Sequence, residues 1–123
     1  MTVSNQTPRK RFDLEGRAFA FARDVRSFIR TVPKTIQNNE DTRQLVRSSG
    51  AVGANYIEAN ESLGKKDFAM RLKISRKEAK ESAYWLALLD TGASRNTDIE
   101  RNRLRSEAHE LMLILTAIIK KVS

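Results

Sequence analysis

The sequence contains no cysteine, and that one absence removes disulfide bridges, zinc–thiolate sites and thiol nucleophiles together. It agrees with a reducing compartment, and a cytoplasmic location is expected. Proline is nearly absent too: Pro8 and Pro33 are the only two. His109 is the only histidine, and Trp85 the only tryptophan. No apolar run approaches the roughly 20 residues that a membrane-crossing helix needs, so no membrane association is expected. No segment alternates with period two, and no Asn-Gly or Asp-Gly pair marks a hairpin. The opening stretch, MTVSNQTPRKRF, has charge without an apolar segment behind it. It reads as a short disordered arm over residues 1–11, and not as a signal peptide.

What remains is a chain of 123 residues with a net charge of +8. The length suits one compact domain, residues 12–123. The charge raises the chance of a polyanionic partner, although net charge alone speaks to non-specific association.

Four segments show helical periodicity. In the first, Leu14, Ala18, Phe21, Val25, Phe28 and Val32 recur at spacings of four and three, with Asp13 as N-cap and Pro33 as terminator. A polar loop, KTIQNNED, follows, from which Asn39 or Asp41 can cap the second helix. That helix would turn Leu45, Ser49, Val52, Tyr56, Ala59 and Leu63 inward, up to Gly64. The third would bury Phe68, Leu72, Ser75, Ala79, Ser82, Leu86 and Leu89, and stop near Gly92. The fourth, capped by Thr97 or Asp98, would bury Arg101, Leu104, Ala108, Leu111, Leu115, Ile118 and Val122, with Ile119 beside them. Short connections favour an all-α, antiparallel up-down four-helix bundle. A helical repeat array is the alternative, and no repeat period supports it.

Gly50 and Gly53 stand inside the second helix, where each costs about 1 kcal/mol relative to alanine. The outward stripe there reads Arg43, Arg47, Gly50, Ala54, Glu58, Glu61: cations, small residues, then acids. Arg47 and Glu58 lie eleven residues apart, roughly 16 Å along the axis, too far to pair within the helix. Small residues would admit a second backbone, and Arg of one chain could meet Glu of the next. A subunit interface is one reading of this stripe, and a plain solvated face is the other. Ile74 and Trp85, apolar residues on the flank of the third helix beside Arg71, Glu78 and Glu81, extend the candidate interface.

On the third helix, Lys66, Lys73, Lys77, Lys80 and Tyr84 fall along one outward line. Spaced cations suit phosphates, and an exposed aromatic can stack on an unpaired base. The competing reading is again a solvated face.

Catalytic patterns fail. A di-iron bundle needs inward carboxylates and Glu-x-x-His on two helices, but His109 stands alone. Gly50 and Gly53 lie within a helix, not in a phosphate-binding turn between strand and helix. No cofactor, metal or enzymatic activity is expected, which leaves a hydrolase or metal enzyme as a weak third reading.

The runs RQLVRSSGAVGANYIEANES and KKDFAMRLKISRKEAKESAYWLALL resemble the bacterial four-helix-bundle proteins of 23S rRNA gene intervening sequences. Those are similar in turn to the accessory protein of diversity-generating retroelements. The resemblance runs from about Phe12 to the C-terminus and is most specific at Arg43, Arg47 and Ser48, at Asn55 to Glu58, and at Glu78 and Glu81. NYIEAN departs from the commoner Asn-Ile-Ala-Glu-Gly. The resemblance implies an antiparallel bundle, often a ring-like homopentamer, with no established activity. It implies RNA or reverse-transcriptase association for the accessory relatives only. The expectation is a non-enzymatic oligomeric bundle whose basic surface binds RNA or an RNA-associated protein. The rival is a structural or protein-interaction module without nucleic-acid binding.

Overall fold

The computed structural model describes residues 13–122, so the expected arm over residues 1–11 lies outside the described residues. The chain forms helices α1 (Leu14–Phe28), α2 (Ile36–Asn60), α3 (Lys65–Leu88) and α4 (Arg95–Val122), with a 3-10 turn, Ile29–Thr31, after α1. No strand occurs among the described residues.

Cross-helix pairs fix the topology. Gly53 meets Ala18 and Gly50 meets Arg26 between α1 and α2. Between α2 and α3, Ser48 meets Ser82, Val52 meets Ser75, and Asn55 meets Arg71. Arg76 bonds Thr116, and Arg101 bonds the Leu86 carbonyl, between α3 and α4. Arg17 reaches Glu107, and Arg103 reaches Asp24, between α1 and α4. In every pair one number rises as the other falls. Each helix therefore runs antiparallel to both its neighbours, up-down-up-down, and α1 closes the ring onto α4.

The core follows the expected periodicity. All six expected positions around α1, Leu14 to Val32, are buried, as are Leu45, Val52, Leu72, Leu86, Leu104, Leu111 and Leu115. Burial of such apolar side chains is the main driving force, about 1.5–3 kcal/mol for each large one. Where α2 crosses α3 the seam is made of serines. Ser48 Oγ lies 2.8 Å from Ser82 Oγ, and Ser75 donates to the Val52 carbonyl at 2.7 Å. Small side chains let the two helices approach, and each hydroxyl finds a partner.

Several boundaries differ from the sequence reading. α2 starts at Ile36, not after Asn39 or Asp41, because the Thr35 hydroxyl accepts the Asn38 N–H at 3.0 Å. Asn38 is buried: its Nδ2 donates to the Pro33 and Asp90 carbonyls, and its Oδ1 accepts from the Asp90 N–H. The α1–α2 and α3–α4 loops are thereby clasped, and Pro33 also packs against Gly92, whose φ is +70°. Asp13 holds the N-cap position of α1 without a side-chain cap bond. α2 ends at Asn60, so Leu63 is fully exposed instead of inward. α3 ends at Leu88, ahead of Gly92. α4 begins at Arg95; Ser94, not Thr97 or Asp98, supplies the capping hydroxyl, to the Thr97 N–H at 3.3 Å. Arg101 is not a core residue but caps α3, donating to the carbonyls of Leu86, Ala87 and Leu89. Ile119 is the buried residue near the end of α4, while Ile118 and Val122 are half-buried.

Candidate interaction surfaces

Lys66, Lys73, Lys77, Lys80 and Tyr84 are all exposed, along one face of α3. Among the described residues, the one ion pair these lysines make is Lys77 with Glu78, at 3.9 Å. Met70 and Leu88 share that face and are half exposed, so apolar side chains stand before and after the run Lys73, Lys77, Lys80. Lys66 and Lys73 also flank a hollow lined by Gly64, Met70 and Val122 at the base of the bundle. Tyr84 packs edge-on against Trp85 with ring centroids 5.1 Å apart.

Residues of the second candidate surface are divided between two places. Gly50 and Ala54 line a groove of about 660 Å³ between α1 and α2, together with Phe19, Ala22, Gly53 and Ile57. Arg23, Arg26 and Arg30 form its rim on α1, and Glu15 stands at the other end. The other residues, Arg43, Arg47, Glu58, Ile74 and Trp85, flank α2 and the α2–α3 seam.

The glycines have an explanation within the chain. A Cβ on Gly53 would stand 3.3 Å from the Ala18 Cβ, so the glycine sets how closely α1 packs. Gly50 lies under the Arg26 guanidinium, 3.7 Å from where its Cβ would be.

The charges beside them also have partners in the chain. Arg47 Nη2 stands 3.6 Å from Glu78 and 3.5 Å from Glu81. Arg43 pairs with Glu40 at 3.0 Å, and Glu58 with Arg71 at 4.0 Å. Glu78, read from the sequence as an outer flank residue, is buried, because α2 covers that side of α3. Its Oε1 has no hydrogen-bond partner among the described residues and faces Arg47. Trp85 is half-buried against the core of its own chain, and Ile74 is half-buried as well.

Two ion pairs tie α1 to α4. Arg17 makes a two-pronged contact with Glu107 at 2.9 and 2.8 Å. That hydrogen bonding raises the guanidinium pKa above its ordinary value, against the opposing effect of burial. Arg103 is held in the charged form chiefly by Glu100, with Asp24 adding to it. These pairs brace α1 from the side opposite the groove. Among the described residues, no three His, Asp or Glu side chains gather as metal ligands would, and no helix is long and apolar enough to cross a membrane.

The model of the 23S rRNA-intervening sequence protein family matches residues 10–117. The chain belongs to that family. The family match and the bundle agree with a solved relative, a protein of unknown function from the S23 ribosomal protein family of Bacteroides thetaiotaomicron. It superposes with a TM-score of 0.73 at 26% identity, covering 87% of this chain and 98% of the relative. No curated protein matches the chain.

Sequence reasoning missed the α1 side of the groove. The signal was present: Phe19, Arg23, Arg26 and Arg30 recur at spacings of four, three and four on the face away from the core. Such a stripe looks like any solvated helix face until α2 lies beside it.

Proposed function

We propose that this member of the family is a non-enzymatic, cytoplasmic, homo-oligomeric bundle that binds RNA through the lysine line of α3. What carries the reading is that Lys66, Lys73, Lys77 and Lys80 are exposed together, with Tyr84 continuing the line. Charges held at helical intervals along one face can follow a phosphate backbone without reading bases. Binding of this kind falls steeply with salt, about 0.7 in log–log slope for each phosphate contact on a single strand. Copies join through the outer face of α2, by Arg43, Arg47, Gly50, Ala54 and Glu58, with Ile74 and Trp85 at its edge; a ring-like pentamer is the state that the resemblance implies.

The test is a filter-binding titration with single-stranded RNA at two salt concentrations. Wild type should bind at low salt with little sequence preference. Replacing Lys73, Lys77 and Lys80 with glutamine should weaken binding and flatten the salt slope by about 2 for three contacts. The circular dichroism should stay unchanged, since none of the three packs in the core. Equal binding by both proteins, or none by either, would leave the line a solvated face. The second reading, an interaction module without nucleic acid, would then stand on the apolar groove, where Phe19 is 67% exposed.

A further inference from the structure

We infer that RNA lies in the furrow between α3 and α4, and that α4 supplies a second row of contacts, Arg105, His109 and Lys120, beside the lysines of α3. This rests on the RNA reading and adds a site on a helix that the lysine line does not touch.

The furrow follows from how the two helices are turned. Arg76 donates to the Thr116 hydroxyl at 3.4 Å, so these two residues mark the flanks along which α3 and α4 meet. On α3, Lys73 stands three residues before Arg76, and Lys80 and Tyr84 four and eight after it. That spacing keeps them on the same side of the helix, the flank toward α4. On α4, Arg105, His109, Met112, Thr116 and Lys120 recur at spacings of four, three, four and four. The row that holds Thr116 therefore also holds two cations and the histidine. Because the helices run antiparallel, Lys73 comes level with Lys120, and Tyr84 with the stretch from Arg105 to His109. The cations, Tyr84 and His109 are exposed along both edges, while Arg76, Met112 and Thr116 are half-buried and form the floor.

Acids are kept off this side. The α3 carboxylates Glu78 and Glu81 lie on the opposite flank, against Arg47 of α2. Asp67 stands at the foot of the helix, in its first turn. On α4, Glu107 is held by Arg17 of α1, Glu100 by Arg103, and Asp98 by Arg101. Glu110 lies toward α1 as well, where its charge acts on Arg17. Lys73, Lys80, Arg105 and Lys120 have no ion pair among the described residues. The α1–α4 and α2–α3 flanks thus balance their own charges, and the α3–α4 flank leaves its positive charge for an outside polyanion. Packed helices lie about 8–10 Å apart, so both rows can reach one strand at once.

A hollow of about 470 Å³ opens beside the furrow, lined by Ala83 of α3 and by Asn102, Arg105, Ser106, His109 and Glu110 of α4. Its size falls within the roughly 300–1,000 Å³ of small-ligand clefts. Asn102 and Arg105 offer donors there, Ser106 and Glu110 offer acceptors, and the His109 ring offers a face for stacking. Glu110 repels phosphate and accepts from a base amino group. The hollow therefore takes a base, while the phosphates stay on the two rows.

The test compares three variants in the filter-binding titration. Arg105→Gln with Lys120→Gln should weaken binding of single-stranded RNA on the order of tenfold at low salt. It should also flatten the log–log salt slope by about 1.4, two contacts at about 0.7 each. Arg23→Gln with Arg30→Gln makes the same charge change on α1, diagonal to α3, and should leave the slope as it is. His109→Ala should weaken binding to RNA by about fivefold or more, as loss of one stacked base does, and leave binding to an abasic strand of equal length unchanged. Circular dichroism and light scattering should not move, since the replaced side chains are exposed. A wild-type slope in the Arg105/Lys120 variant, with the lysine variant still flattened, would confine RNA to α3 and overturn this inference while the RNA reading stands. Equal flattening by the α1 variant would mean diffuse attraction to net charge, and it overturns the furrow. Equal loss on RNA and abasic strand in His109→Ala removes the base from the hollow. A wild type that binds no RNA at low salt overturns both the furrow and the reading beneath it.

Discussion

Asn38 joins three segments with one side chain: the start of α2, the carbonyl of Pro33, and both backbone groups of Asp90. Replacing it with leucine keeps the approximate size but leaves two carbonyls and one N–H at a part-buried site without their partner. Each stranded group costs about 1–3 kcal/mol, with relaxation and water recovering part, so a net loss of about 3 kcal/mol is expected. Thermal unfolding should drop by roughly 10 °C or more. A shift of only a degree or two would mean that water replaces the amide without loss. The sequence hid this residue for a physical reason. KTIQNNED is polar throughout, and polarity marks a loop unless a partner far along the chain buries it; Asp90 is 52 residues away. Glu78 was hidden in the same way, since its burial depends on how α2 lies across α3.

At the scale of the element, the apolar positions of all four helices were legible, because helical spacing reports which face meets the core. The ends were less so. Thr35 is outranked on paper by nearby Asn and Asp residues and Ser94 only ties with Asp98, so the backbone path decides which side chain reaches a free N–H. α2 also separates two glycines that look alike in sequence. Gly50→Ala meets only the end of the flexible Arg26 side chain, so the helix gain of about 1 kcal/mol should appear as a higher urea midpoint. Gly53→Val presses on Ala18, already 3.3 Å away from a Cβ there, and overpacking of that kind costs about 1–3 kcal/mol. Both midpoints are best read well below any concentration at which chains associate. Equal shifts in the two variants would show that α1 yields freely and that Gly53 does not set its distance.

For the whole molecule, the bundle and its antiparallel order were readable, because four amphipathic segments with short connections leave few other solutions. The groove was not, since it belongs to α1 and α2 jointly and its charge pattern emerges only once the two lie side by side. The clasp between loops has a consequence of its own. Asn38, Pro33 and Gly92 fasten one end of the bundle. The opposite end has a single connection, between Asn60 and Lys65, with Leu63 bare and no side-chain cap at Gly64. Fluctuations should therefore be graded along the axis, with the helices loosening from the unfastened end. Native-state hydrogen exchange would display this as amide protection rising along α1 from Leu14 to Phe28 and falling along α4 from Arg95 to Val122. Uniform protection along both helices would contradict it. With the gradient present, α1 opens from its Leu14 end like a zipper held at the top, uncovering Ala18 and Phe21 while Phe28 stays anchored.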